Sequence, residues 1–455
     1  MAEHAGKPGG HHQAGIEGLI ARAPRPVLLL VGLLGAGLML WLGATAQSRL
    51  SEAAAPVTEV QGARLAAPTT TSPPATVAAA APASTTRPPT TTTLPPLRTA
   101  TLAFTGDTLS HRGIVRQAAT WAGGTDVEYD FAPFFRLVAP YLNDADVAIC
   151  HLETPLSPDN SDLSGYPTFN VPGDLAAGLK AAGYDGCTTA SNHSLDRRAQ
   201  GVIDTLDVLD AAGLSHSGMA RSAEEQAQPT VYDAAGIAVA NLSYTYGLNG
   251  FRLPADMPWL VNTIDASDIT ADAVAARSAG AEYVIVSLHW GTEYRTQPNN
   301  DQVALAEALL AGGEVDLIIG HHAHVVQPVD QIDGRFVVYG LGNFISNQSV
   351  NCCAAGSQDG VIMEVHLQEE RGTDGTITGF RTWLTYVPTW VDRPDFTIVP
   401  VIEGLADPTI SAARAATLTA SRVRTSEALR SLDIGRIGLL ETRPRGSFTP
   451  STAAD

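Results

Sequence analysis

Along the middle of the chain, short apolar runs bounded by turn residues alternate with amphipathic stretches. The runs predict strands at Thr101–Thr105, Asp146–Leu152, Gly186–Ala190, Ile237–Ser243, Tyr283–Leu288, Leu317–Gly320, Phe336–Tyr339 and Val361–Leu367. The amphipathic stretches predict helices at Ala132–Leu142, Leu175–Ala182, Gly201–Ala212, Ala271–Ala279 and Asp301–Leu310, with a further helix near Ser411–Leu432. Val202, Leu206, Leu209 and Leu214 recur at near-helical spacing and give their segment one apolar face. Alternation of this kind predicts an α/β fold whose sheet is covered on both faces.

The pattern breaks at both ends. Residues 27–46 are uncharged and mostly apolar, and as a helix they would just cross a bilayer. Lys7, Arg22 and Arg25 precede this run, so residues 1–26 are expected as a cytoplasmic tail, 27–46 as a transmembrane signal-anchor, and the rest outside. Ala44-Thr45-Ala46 also resembles a cleavage site, so secretion after signal-peptide removal is the alternative. The run exceeds the usual apolar core of a signal peptide, about 7–15 residues, which favours the anchor. Residues 47–98 are rich in Ala, Pro and Thr and are expected as a disordered linker. A domain at 99–400 and a C-terminal helix and tail at 401–455 complete the expected organisation.

Charge sharpens this division. The chain has 455 residues and a net charge of -19, from 28 basic and 47 acidic side chains. Residues 1–98 hold seven basic and four acidic side chains, so the body is more acidic than the average suggests. An acidic body argues against nucleic acid as a partner. Four cysteines are too few to build the fold from disulfides. Cys150 and Cys187 fall in core strands, where free buried cysteine is the commoner state, although they could pair. Cys352-Cys353 lies in a loop, and its pairing is left open.

The polar residues that carry chemistry sit at strand ends. Five apolar strands run into Gly106-Asp107, His151-Leu152-Glu153, Ser191-Asn192-His193, His289-Trp290-Gly291 and Gly320-His321-His322-Ala323-His324. The carboxyl edge of α/β sheets is where sites form. Eight of the twelve histidines lie between His111 and His324. Imidazole, carboxylate and amide oxygen together suit Zn, Mn or Fe.

The ordered segments FTGDTLS, ADVAICHLETPLS, TTASNHSLDRRAQGVIDTLDVLDAAG, IVSLHWGTEY and DLIIGHHAHVVQPVDQIDGRFVVYGLGNF resemble the CapA family of capsule and poly-γ-glutamate synthesis proteins. The resemblance runs from about Thr99 to Gln348 and continues weakly beyond. It implies a calcineurin-like metallophosphatase fold, a central β-sandwich flanked by helices. It further implies divalent metal, one ion or two, held by Asp107, Glu153, Asn192, His289, His322 and His324. His193 would protonate a leaving group and Asp196 would orient it. His321 adjoins this set without being assigned as a ligand, and Gly342-Asn343-Phe344 is expected to shape the rim. Two departures stand out. His151 replaces an Asn, either as an extra ligand or, the favoured reading, as a hydrogen-bonding substitute. Leu109 stands where phosphoesterases place a histidine, and His111 follows two residues later, which removes one expected ligand from the first metal site.

The function so implied is a membrane-anchored, extracytoplasmic protein that assists synthesis, export or attachment of an anionic surface polymer. Its partners would be the polymer, membrane synthase components and the membrane itself. A metal-dependent phosphoesterase or polymer hydrolase, and a non-catalytic metal-containing scaffold of a synthase, are the alternatives.

Overall fold

The computed structural model describes residues 95–124, 126–432 and 437–442. The expected cytoplasmic tail, the membrane helix at 27–46 and all but the last four residues of the linker lie outside these residues. Among the described residues, no helix is long and apolar enough to cross a membrane.

Two sheets form the centre. The larger has nine strands, with Thr99–Leu109 between Asp359–Arg371 and Val147–Leu152; Gly186–Thr188 and Ser215–Ser217 continue to one edge, and Ile377–Val391 and Ile398–Pro400 to the other. The smaller has six strands, with Tyr283–His289 between Leu317–His321 and Ile237–Thr245. Alternation along single strands shows how they stack. Leu102 and Phe104 pack with Val147 and Ile149 against Val239, Ile285 and Ile319 of the smaller sheet. Ala103, Ala148 and Cys150, facing the other way, join the core beneath the helices Asp174–Ala182 and Arg198–Ala211. Val284, Val286 and Ile318 do the same beneath Ala266–Ser278 and Asn300–Ala311. A period of two therefore serves two cores at once, giving a sandwich with helices on both outer faces. Such strands are buried on both sides and read as continuous apolar runs.

The site-bearing strands pair in parallel within each sheet: Thr99–Leu109 with Val147–Leu152 and then Gly186–Thr188, and Tyr283–His289 with Leu317–His321. Parallel pairing delivers their carboxyl ends to one edge of each sheet. Register sets Asp107 beside His151, and His321 beside His289. At the other end of the sandwich, Arg98 pairs with Glu282, next to a strand of the smaller sheet, and with Glu369 of the larger, fastening one to the other.

Two expectations need correction. The single helix expected over Ala132–Leu142 is two, Ala132–Phe135 and Ala139–Asn143. Pro140 lacks an N–H for the continuing ladder, so the chain restarts with Pro in a first turn. Cys150 and Cys187 are register partners on adjacent strands and form a disulfide, contrary to the favoured free state. Burial alone favours a thiol, but side-by-side registry supplies a partner the sequence did not reveal. Cys352 and Cys353 are also bonded to each other. The C-terminal helix spans Ala412–Leu429, capped by the Ser411 side chain, and Leu440–Glu441 in the expected tail adds a short parallel strand to the larger sheet.

Candidate metal centre

The strand ends of both sheets meet in one buried cluster. Asp107 and Glu153 come from the larger sheet, His289 and His321 from the smaller, and His322 and His324 from the turn that follows. That turn is backbone-strained. His322 has φ 85° and His324 φ 54°, left-handed values that non-glycine residues seldom adopt. The turn sets the His324 imidazole and the His322 backbone N–H beside Asp107. Gly320 permits the approach: a Cβ there would lie 1.9 Å from the Tyr339 carbonyl oxygen.

His324 is the centre of the arrangement. Its Nδ1 lies 3.0 Å from Asp107 Oδ2 and 3.1 Å from Asn343 Oδ1, and its Nε2 lies 3.7 Å from Glu153 Oε1. Asn343 is anchored in turn by donating to the carbonyl of Ser357. The expected rim residue is thus buried and holds a histidine in place. His289 Nε2 is 3.0 Å from Asn192 Oδ1 and 3.9 Å from Glu153 Oε1. Its Nδ1 is 2.9 Å from His151 Nε2, and His151 Nδ1 meets the Thr188 hydroxyl at 2.8 Å. His193 Nδ1 lies 2.8 Å from Asp196 Oδ2, which also accepts from the Phe169 N–H. His193 and His324 line the same cavity of about 410 Å³, together with His111, Tyr166, Glu293 and Tyr294.

Electrostatics follow from burial. Asp107 and Glu153 are each 1% exposed. Burial pushes Asp107 up, but the neighbouring His321 and His324 imidazoles outweigh it and hold the carboxyl well below its usual range. Burial raises Glu153, His324 opposes that, and the charge of Asp107 adds to it, leaving it net raised. Burial lowers His324, but Glu153 and Asp107 reverse the sign and raise it. The His324 ring therefore stands between two acidic side chains. Burial lowers His322 to about 3 and takes His151 and His289 well below the usual range, so these rings are neutral, the form in which imidazole ligates metal.

The cluster fits a divalent metal. Both oxygens of Glu153 and Nδ1 of His322 are buried and lack hydrogen-bond partners. Orphaned buried donors and acceptors are costly, and these are of metal-ligating types. Three sets offer ligand atoms within 4.8 Å of one another: Asp107, His151 and His289; Asp107, Glu153 and His324; and Glu293, His322 and His324. The structure thus brings together Asp107, Glu153, His289, His322 and His324, with Asn192 on His289. It adds two residues outside the expected ligand set. His151 hydrogen-bonds as the favoured reading held, yet also points a ligand atom into the cluster. Glu293 stands in the same segment as His289, four residues on, and that spacing was the available signal. His111 does not supply the ligand missing at Leu109; its Nδ1 meets the Leu109 carbonyl oxygen at 3.1 Å.

Residues 101–348 match the family model described as bacterial capsule synthesis protein PGA_cap, more than half of the chain. The capsule biosynthesis protein CapA of Bacillus anthracis is 27% identical over 280 residues, 59% of this chain and 64% of that one. A probable polyglutamine synthesis accessory protein of Mycobacterium tuberculosis is 29% identical over 250 residues, 52% of this chain and 65% of that one. This chain therefore spans just under two thirds of these relatives' length. Among solved structures, a calcineurin-like phosphoesterase, YfkN, from Bacillus subtilis aligns with a TM-score of 0.37 at 14% identity, covering 73% of this chain and 98% of that one. With five strand-end segments in order and a single family model spanning them all, the chain belongs to the bacterial capsule synthesis protein PGA_cap family.

Proposed function

We propose that the chain is a membrane-anchored, extracytoplasmic accessory of anionic-polymer synthesis, export or attachment, with a divalent metal at the strand-end cluster. The observation that carries the metal is Glu153, buried with both oxygens unpartnered and within 4 Å of two imidazoles. Asp107, Glu153, Asn192, His289, His322 and His324 would hold it, with His151 and Glu293 beside them. A bound divalent ion would polarise a substrate oxygen and lower the pKa of water. The polymer reading rests on the names of the relatives, and the calcineurin-like fold reading is supported by the paired sheets with ligands at their carboxyl ends. Two disulfides support an oxidising, outward location. Membrane synthase components would be its protein partners. The test is deletion of the gene and rescue. The unaltered chain should restore surface polymer and Glu153→Gln should not; equal rescue by both contradicts the site's role.

A hydrolytic version of this reading is favoured by one observation. His193 and Asp196 are linked at 2.8 Å, and His193 lines the cavity beside His324. Asp196 would fix the ring so that its other nitrogen faces substrate and passes a proton to a leaving oxygen or nitrogen. Turnover of a phosphate ester or a glutamyl polymer with added Mn or Zn, lost in His193→Ala with metal content unchanged, supports it. Metal binding without turnover supports the scaffold.

A further inference from the structure

An acidic protein that handles an anionic polymer needs a local reversal of charge, and the structure holds a second cationic surface beside the metal cavity. The cavity lined by His193 and His324 also includes Asn347. Asn347 in turn lines a neighbouring cleft of about 520 Å³ with Arg116, Gln117, Thr120, Arg393 and Phe396. One residue is therefore common to both. Arg393 is set by donating from Nη1 to the Asn347 carbonyl at 3.0 Å, and its guanidinium lies 5.4 Å from the Phe396 ring centre. Arg116 follows Arg112 by one turn of the helix Arg112–Ala122, so the two arginines share a face. The Arg112 stem packs against Gly165, next to the cavity-lining Tyr166.

Charge balance singles this cleft out. Arginine-lined clefts elsewhere carry their own carboxylates: Glu282 and Asp316 beside Arg277, and Asp359 and Glu427 beside Arg424. The cleft at Arg116 and Arg393 has none among its lining residues. Neither arginine makes an ion pair among the described residues, and both side chains are exposed. Asp392, beside Arg393 in the chain, is taken by Arg414, and two cations at an open cleft whose lining has no carboxylate fit a partner that brings carboxylates of its own.

We propose that Arg116 and Arg393 form a binding subsite for a polymer bearing a carboxylate on each repeat, positioned so that a strand held there continues into the metal cavity past Asn347. This rests on the polymer reading above. It assigns the holding of the chain to arginines and leaves the cluster free for a single repeat.

The test measures binding of fluorescently labelled poly-γ-glutamate to the full-length chain, with metal content determined in parallel. R116E/R393E should weaken binding about tenfold or more and flatten its salt dependence, with metal content unchanged. R116Q and R393Q should each weaken it less. R381E is the charge-matched control, near the opposite end of the larger sheet where Arg381 pairs with Gln368; it should leave binding intact. Binding that survives R116E/R393E overturns the subsite and spares the polymer reading. Failure of the unaltered chain to bind polyglutamate overturns both. Arginine-dependent binding of polyphosphate but not of polyglutamate overturns the assignment to carboxylates.

Discussion

Glu153 Oε1 faces His324 Nε2 across 3.7 Å, and neither oxygen of Glu153 has a hydrogen-bond partner. The pair is close enough to attract and too far apart to satisfy the carboxylate. Ligand atoms about 2.0–2.2 Å from one metal stand about 3–4 Å from each other, so the gap has the size a shared ion requires.

Exchanging Glu153 for Gln should therefore act with opposite sign in two conditions. In chelator at neutral pH, Gln removes a carboxyl whose ionised form is disfavoured by burial, and thermal stability is equal or higher. With metal at a hundred times its Kd, the unaltered chain gains about 2.7 kcal/mol of stability and the variant gains little. Thermal melts of both proteins in both conditions check this.

Metal uptake should release protons. Glu153 and His324 are both raised in the metal-free protein, by burial in the one case and by the two carboxylates in the other. Each must lose its proton to become a ligand. Affinity should therefore rise with pH through the neutral range. Calorimetric titrations in two buffers of different ionisation enthalpy at pH 7 would reveal the released protons; identical heats would count against the account.

His111 supplies a separate pH effect. Burial lowers it to about 4, so the folded chain keeps the ring neutral while the unfolded chain takes up a proton below about 6.5. Its contribution is intact above about 6.5 and declines as the pH falls toward 4. Denaturant unfolding of His111→Gln in chelator should lose stability less steeply over that window than the unaltered chain.

The bond between Cys150 and Cys187 closes a loop across two adjacent core strands, with a sequence separation of 37. Replacing both cysteines by Ala should lower stability by roughly 2–4 kcal/mol, measured by denaturant unfolding under oxidising conditions. Under reducing conditions the difference should shrink.

Legibility in the sequence followed burial. Strands such as Tyr283–His289 and Leu317–His321 are buried along their whole length and read as unbroken apolar runs, so their positions and polar ends were evident. Ile377–Val391 was missed because much of it is exposed or half-buried, which dilutes the apolar signal. The helix Arg112–Ala122 was missed because only Ile114, Ala118 and Ala122 are buried. Within the site, residue types were readable and contacts between sheets were not. Nothing near His324 in sequence announces that its ring lies between Asp107 and Glu153, more than 150 residues away. The role of Asn343 was obscured for the same reason, since its bond to His324 follows from the antiparallel pair Val329–Ile332 and Arg335–Val338 that folds back between them.

Metal content of the purified full-length chain, measured by elemental analysis beside Glu153→Gln and His324→Ala, tests the central claim most directly. Stoichiometric Mn, Zn or Fe in the unaltered chain, lost in both variants while their secondary structure persists, is the predicted result. An unaltered chain that neither carries nor takes up any of these metals would contradict it.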